Sequence, residues 1–226
     1  MKIAIGSIFR NSESYIYRYL DQIMGLRVAA PQHDFELLLV EGDSTDGTRA
    51  LLDCLFFDAV TTCAHGGPLF GSVDNTVRWR QSSFVWESVL QRISFDTDIF
   101  LYVESDLTWQ PETMLRLIEH TSKYGVDVVV PMCFRSDYHY DTWGLRGVDG
   151  NSYGCYPPYH KELLEPPSPN GLFQIQSAGS CLVMRGAVAR TCHFDPADLA
   201  IVGFCRNAAE QGYQLWLDPT LKVYHP

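Results

Sequence analysis

The chain has 226 residues, 46 % of them hydrophobic and 19 % charged, and Lys+Arg 17 against Asp+Glu 27 leaves a net charge of −10. A chain of this length buries roughly 70–75 % of its unfolded surface without staples, and its composition excludes a disordered or collagen-like protein. The acidic balance is poorly suited to gripping a phosphate backbone by charge alone.

The opening MKIAIGSIFR has too short an apolar run for a signal peptide and reads as a first strand over residues 2–5. Asn11, Ser12 and Glu13 offer a cap and an acidic first turn for a helix whose apolar face is Tyr15, Ile16, Tyr19, Leu20 and Ile23. FELLLV, residues 35–40, is apolar enough for a strand buried on both faces. The turn EGDSTDG follows it, then a helix over 48–55, a third strand over 58–62 and a Gly-rich loop over 63–75. Val77, Phe84, Val85, Val89 and Ile93 mark a long amphipathic helix, and IFLYV, residues 99–103, a further buried strand. Pro111 suits the first turn of a helix running to Tyr124, and 127–130 reads as a fifth strand. Residues 132–174 are rich in Tyr, Pro, Gly and Asp with little periodicity, the texture of a functional loop. A strand over 181–184, a helix over 196–211 closed by Gly212, and two short strands over 213–217 and 221–224 complete the chain. Alternating strands and helices predict a single-domain α/β fold with a mostly parallel central sheet flanked by helices. No stretch approaches the roughly 18 apolar residues of a membrane span. The 7 cysteines are scattered without a CxxC pair, which predicts free thiols in a cytoplasmic protein and no zinc knuckle.

Several acidic groups sit where strands end, and in open α/β sheets ligands collect at those ends. Glu104-Ser-Asp106 follows IFLYV. Carboxylates spaced i, i+2 point to opposite faces of an extended chain, so they converge on one ion only if the chain turns there. Converged, their oxygens suit Mn²⁺ or Mg²⁺, which would neutralise a diphosphate; otherwise Asp106 caps loop amides. Glu41, Asp43 and Asp46 follow the second strand. Asp43 and Asp46 can accept hydrogen bonds from a base with adjacent N–H donors, favouring uracil or guanine over adenine. Asp46 also stands where a helix cap belongs, and the two roles are compatible. Arg78, at the start of the long helix, suits a phosphate or a solvated face. His225 is a candidate metal ligand or an exposed terminal residue. In YHYDTWGLRGVDG, residues 138–150, aromatic rings interleave with Asp and Arg, which makes either a sugar platform or an aromatic cluster that orders a long loop. GxSxG, Walker A and GxGxxG motifs are absent.

The order of these pieces, IGSIFRN, EGDSTDGT, YVESD, a long loop and a final strand ending in His225, resembles the GT-A glycosyltransferases across essentially the whole chain. ESD looks like a variant of their DXD motif. YDTWGLRGVDG and SAGSCLVMRG look more narrowly like the fungal capsule-associated α-1,3-mannosyltransferases and their mannan-polymerase relatives. The resemblance implies a Rossmann-like GT-A domain with a nucleotide-sugar half over 1–106 and an acceptor half over 107–226. It implies a GDP- or UDP-sugar donor, Mn²⁺ or Mg²⁺ held by Glu104, Asp106 and His225, and transfer of a hexose to a hydroxyl. The acceptor would be a glycan or, in a modification enzyme, a hydroxymethylated DNA base. Ser7, Ile8, Arg10, Glu41, Asp43, Asp46 and Arg78 fall at its nucleotide positions, and Asp141, Trp143, Arg146 and Asp149 at its sugar and acceptor positions. Inverting members carry a Glu-Asp pair before the last helix. Residues 198–204 lack it, which fits retention, with Asp106, Asp141 and Asp198 as the catalytic candidates and Asp198 as a fallback base. A sugar-phosphate nucleotidylyltransferase is the competing enzyme class, although GSIFRNSES lacks its Gly-rich Arg/Lys signature; a glycan- or nucleotide-binding module without catalysis is the third alternative.

Overall fold

The computed structural model describes residues 1–70 and 75–226, apart from the Phe57 side chain. Its elements in chain order are β1 (Lys2–Phe9), α1 (Ile16–Ala29), β2 (Asp34–Glu41), α2 (Thr48–Phe56), β3 (Val60–Thr62), α3 (Thr76–Leu90), β4 (Ile99–Val103), α4 (Pro111–Tyr124), β5 (Val128–Arg135), β6 (Tyr138–His139), β7 (Arg146–Gly147), β8 (Phe173–Ser177), β9 (Cys181–Arg185), α5 (Gly186–Thr191), α6 (Ala200–Glu210) and β10 (Leu215–Tyr224). The strands form one mixed sheet in the order β3-β2-β1-β4-β9-β5-β10-β8-β7, with β6 paired to the end of β5. Following the pairings, β1 to β5, β7 and β10 point one way and β6, β8 and β9 the other. The expected α/β layering with a mostly parallel sheet is therefore present.

The strand sequences explain why both faces are covered. Side chains alternate across a strand, so a run such as FELLLV or IFLYV supplies apolar groups to both faces. Ile3, Ile5, Leu37, Leu39, Ile99, Leu101 and Val103 pack into a core with Ile16, Tyr19, Leu52 and Met114, from α1, α2 and α4. Their neighbours Ala4, Leu38, Val40, Phe100 and Tyr102 enter a second core with Trp86 and Val89 of α3 and Phe204 of α6. Among the described residues no helix is long and apolar enough to cross a membrane.

Some expected elements differ. α1 begins at Ile16 with no side-chain cap, because Asn11 and Glu13 reach instead to the amides of Thr45 and Gly47. The last helix begins only at Ala200, since the side chains of Asp195 and Asp198 turn on the amides of Ala197 and Leu199. The two terminal strands are one strand, broken in register between Asp218 and Lys222, where Pro219 has no amide to pair. Residues 132–174 are less irregular than their composition suggests, because β5 runs on to Arg135 and the short strands β6 and β7 lie within the stretch. Part of the Gly-rich loop, residues 71–74, lies outside the described residues.

Candidate functional site

The ESD motif follows β4, the central strand flanked by β1 and β9. The turn required for its carboxylates to converge is present: the Leu107 amide donates to the Glu104 carbonyl at 3.3 Å. The Arg18 guanidinium donates to the Asp106 carbonyl and braces the turn from α1. Thr108 and Tyr224 then exchange backbone hydrogen bonds of 2.7 and 2.8 Å, fastening the end of β10 to the residues after the motif. The next amide, of His225, donates to the Phe134 carbonyl at 2.8 Å. These ties bring the His225 Nε2 to 3.3 Å from Asp106 Oδ2. Ligand atoms of Glu104, Asp106 and His225 all lie within 4.8 Å of one another.

The donor set fits a divalent ion. Two oxygens and one imidazole nitrogen suit Mn²⁺ or Mg²⁺, and ligands on an ion with bonds of about 2.1 Å stand about 3 Å apart. Burial, then the neighbouring Asp106 charge, pushes the Glu104 carboxyl up to about 8, while the Ser180 hydroxyl bond opposes the shift. A carboxyl held neutral by its surroundings is stabilised as an anion once a cation sits beside it.

Glu104 opens onto a cavity of about 540 Å³. Asp141, Gly144, Gly179, Ser180, Tyr138, Tyr140, Trp143, Arg78, Leu199 and Ile201 are among the residues that also line it. Asp141 has a built cradle. Its Oδ1 accepts the Gly144 amide at 2.9 Å, and the amides of Gly179 and Leu145 also favour its charged form. Burial outweighs them and pushes the carboxyl up to about 7. A Cβ on Gly179 would stand 2.2 Å from Asp141 Oδ2, and one on Gly144 2.8 Å from Oδ1. The glycines of TWG and SAGS therefore admit this carboxyl.

A smaller cavity of about 180 Å³ lies at the tips of β1 and β2, lined by Ile8, Arg10, Gly42, His65, Phe70 and Gln81 among others. Arg78 lines both cavities. Asp43, at φ 55°, accepts the amides of His65 and Gly66 at 2.8 and 2.7 Å. Those bonds hold its carboxyl below its usual range. Arg10 donates to the carbonyls of Gly67 and Pro68. Asp43 and Arg10 thus fasten the loop after β3 over the small cavity.

The other expected site residues make contacts within the protein. Ser7 is wholly buried, its hydroxyl donating to the Val103 carbonyl at 2.7 Å, so it offers no surface to a nucleotide. Glu41 is buried and accepts the Ser44 amide. Asp46 accepts the Thr48 amide at 3.0 Å, the capping role foreseen for it. Asp198 pairs with Arg206 at 2.8 Å and does not line the large cavity, which presents Leu199 and Ile201 there. Arg146 reaches the Trp143 carbonyl at 3.4 Å. Asp149 lies outside the cavity lining and is held by Lys161 at 2.7 Å and by Asn151. Asp149, His160 and Glu162 form a second group with ligand atoms within 4.8 Å. There the His160 Nδ1 already accepts the Glu162 amide and the Tyr153 ring stacks on the imidazole, so the group staples the loop. Tyr140 and Gly144 fall within the aromatic stretch 138–150 and Gly179 within SAGSCLVMRG, both marked in the sequence, but the pairing of Tyr140 with His225 and of the glycines with Asp141 is visible only in three dimensions.

No protein-family model and no curated protein sequence matches the chain. Solved structures do match its fold. The mannosyltransferase PcManGT from Pyrobaculum calidifontis, in complex with GDP-Man and Mn²⁺, has a TM-score of 0.62 at 14 % identity, covering 99 % of this chain and 56 % of its own. Residues 1–349 of S. aureus TarS give 0.58 at 15 % identity, covering 100 % and 60 %. GalNAc-T7, with UDP, GalNAc and Mn²⁺, gives 0.62 at 13 %, covering 100 % and 44 %. The chain thus has the GT-A fold of these glycosyltransferases and spans about half the length of the solved chains.

Proposed function

We propose that the protein is a metal-dependent glycosyltransferase that moves a hexose from a GDP- or UDP-sugar to a hydroxyl of a glycan acceptor, with retention at the anomeric carbon. The observation that carries this reading is the convergence of Glu104, Asp106 and His225 within 4.8 Å beside a cavity of about 540 Å³. The fold likeness to a mannosyltransferase solved with GDP-Man and Mn²⁺ and to GalNAc-T7 solved with UDP, GalNAc and Mn²⁺ supports it.

Glu104, Asp106 and His225 would hold Mn²⁺ or Mg²⁺, which when bound supplies neutralisation of the donor diphosphate and of the charge that grows on it as it leaves. The smaller cavity, floored by Ile8 and Gly42 and covered by the loop that Asp43 and Arg10 fasten, is the place for the nucleoside. Arg78, which lines both cavities, faces the diphosphate. The sugar lies over Asp141, whose carboxylate accepts hydrogen bonds from its hydroxyls. Trp143 and Tyr138 at the cavity wall position the acceptor and displace water, suppressing donor hydrolysis. In the transfer the bond from C1 to the phosphate oxygen breaks and a bond from C1 to the acceptor oxygen forms on the same face. The acceptor proton passes to the departing phosphate oxygen. Retention is supported by the engagement of Asp198 with Arg206, which draws the fallback base into an ion pair outside the cavity lining, where Leu199 and Ile201 stand.

Release of free nucleotide from GDP-mannose, UDP-glucose and UDP-N-acetylglucosamine, with Mn²⁺ or with chelator, tests the reading. Metal-dependent release from at least one donor, lost in Asp106→Asn, is expected. Release that is unaffected by chelator and by the substitution contradicts it.

A further inference from the structure

Among the described residues, few contacts fix the ring of His225. Its backbone amide is anchored on Phe134, and among the described residues its ring nitrogens meet the carbonyl of the adjacent Pro226, 3.5 Å from Nδ1, and Asp106 Oδ2, 3.3 Å from Nε2. An imidazole with an anchored backbone still rotates about its side-chain torsions, and each wrong rotamer removes a ligand. An aromatic ring lies against the imidazole face. The Tyr140 ring stacks on the imidazole with centroids 4.3 Å apart and planes inclined by 25°. The Tyr140 backbone is anchored by its amide, which donates to the Cys133 carbonyl at 2.8 Å, and its partly buried side chain packs against the core of α1, α2 and α4 while lining the large cavity.

We propose that Tyr140 is the positioning residue of His225: its face sets the imidazole plane so that Nε2 points to Asp106, and the same ring forms a wall of the acceptor cavity. This rests on the metal reading above. Stacking of this kind contributes about 0.5–1.5 kcal/mol beyond area burial, and a ligand rotamer set before the ion arrives lowers the ordering cost of binding. The ring and its orientation carry the effect, so the phenolic hydroxyl is dispensable.

The test uses the full chain with the metal alone as probe. Mn²⁺ affinity is read from the free-ion electron paramagnetic resonance signal in wild type, Tyr140→Phe, Tyr140→Leu and His225→Ala. Tyr140→Phe is expected within about twofold of wild type, and Tyr140→Leu about three- to tenfold weaker. An unchanged affinity in Tyr140→Leu overturns the proposal. If His225→Ala also binds Mn²⁺ as wild type does, the metal assignment itself fails, a separate outcome. A second measurement does not depend on the Leu variant folding. In wild type the ring protons of His225, assigned by histidine labelling and His225→Ala, should show the upfield ring-current shift of a stacked imidazole, retained in Tyr140→Phe. Random-coil positions for these protons overturn the proposal.

Discussion

The Asp141 cradle gives a prediction whose sign depends on the background. Gly179 has no left-handed backbone angle, so alanine meets no conformational penalty there, but its Cβ would lie 2.2 Å from Asp141 Oδ2 and 2.5 Å from Cγ. The carboxyl must swing away and give up the 2.9 Å bond from the Gly144 amide. A hydrogen bond to a charged group is worth about 1.5–3 kcal/mol and an overpacked site costs about 1–3 kcal/mol. Gly179→Ala should therefore destabilise by about 2–3 kcal/mol, a fall in Tm of about 4–12 °C for a chain of this size. In an Asp141→Ala background the obstacle is gone, and Gly→Ala at a permitted backbone angle stabilises by about 0.4–1 kcal/mol through the unfolded state. Thermal and urea unfolding of wild type, both single variants and the double variant give the coupling, expected at about 2–4 kcal/mol with inversion of sign. Equal effects of Gly179→Ala in the two backgrounds would refute the cradle.

The raised carboxyls predict a pH dependence of stability. Glu104 and Asp141 keep protons in the folded state to about pH 8 and about pH 7, whereas the unfolded chain loses them near 4.5 and 3.8. The native state therefore binds more protons across that interval, so the metal-free protein should lose stability as pH rises from 4 to 8. Mn²⁺ should raise Tm more at pH 8 than at pH 6, because protons compete for Glu104; melting curves at both pH values check this. Asp198→Ala should leave nucleotide release within about threefold of wild type and lower stability by no more than about 1 kcal/mol, because its pair with Arg206 is partly exposed. His120→Ala should destabilise by roughly 3 kcal/mol in urea unfolding, because His120 is wholly buried and its Nε2 lies 3.0 Å from the buried Asp218 at the break in β10.

What was legible in the sequence follows the reach of each signal. Double-sided apolar runs such as FELLLV and IFLYV mark central strands because period-2 burial on both faces leaves no polar alternation. The convergence of Glu104 and Asp106 needed a turn that Ser105 permits but does not dictate. The position of His225 beside them depends on the Thr108–Tyr224 bridge, which joins segments far apart in the chain. The acidic turn was the least legible part. EGDSTDG has the composition of a ligand-binding loop, yet Glu41 and Asp46 satisfy backbone amides and Asp43 fastens another loop. A carboxylate that binds a base and one that caps an amide look alike in sequence, because both accept from N–H donors. The antiparallel insertion of β9 between β4 and β5 was also hidden, since a strand's own residues do not encode its neighbours' direction.

The central claim is that Glu104, Asp106 and His225 share one ion against a nucleoside diphosphate. Anomalous diffraction from crystals grown with Mn²⁺ and GDP tests it without relying on turnover. The account predicts an anomalous peak within about 2.3 Å of all three side chains, with the diphosphate on the Arg78 side. A fully occupied peak at Asp149, His160 and Glu162 with none at the ESD turn, or a nucleotide bound away from that turn, would contradict it.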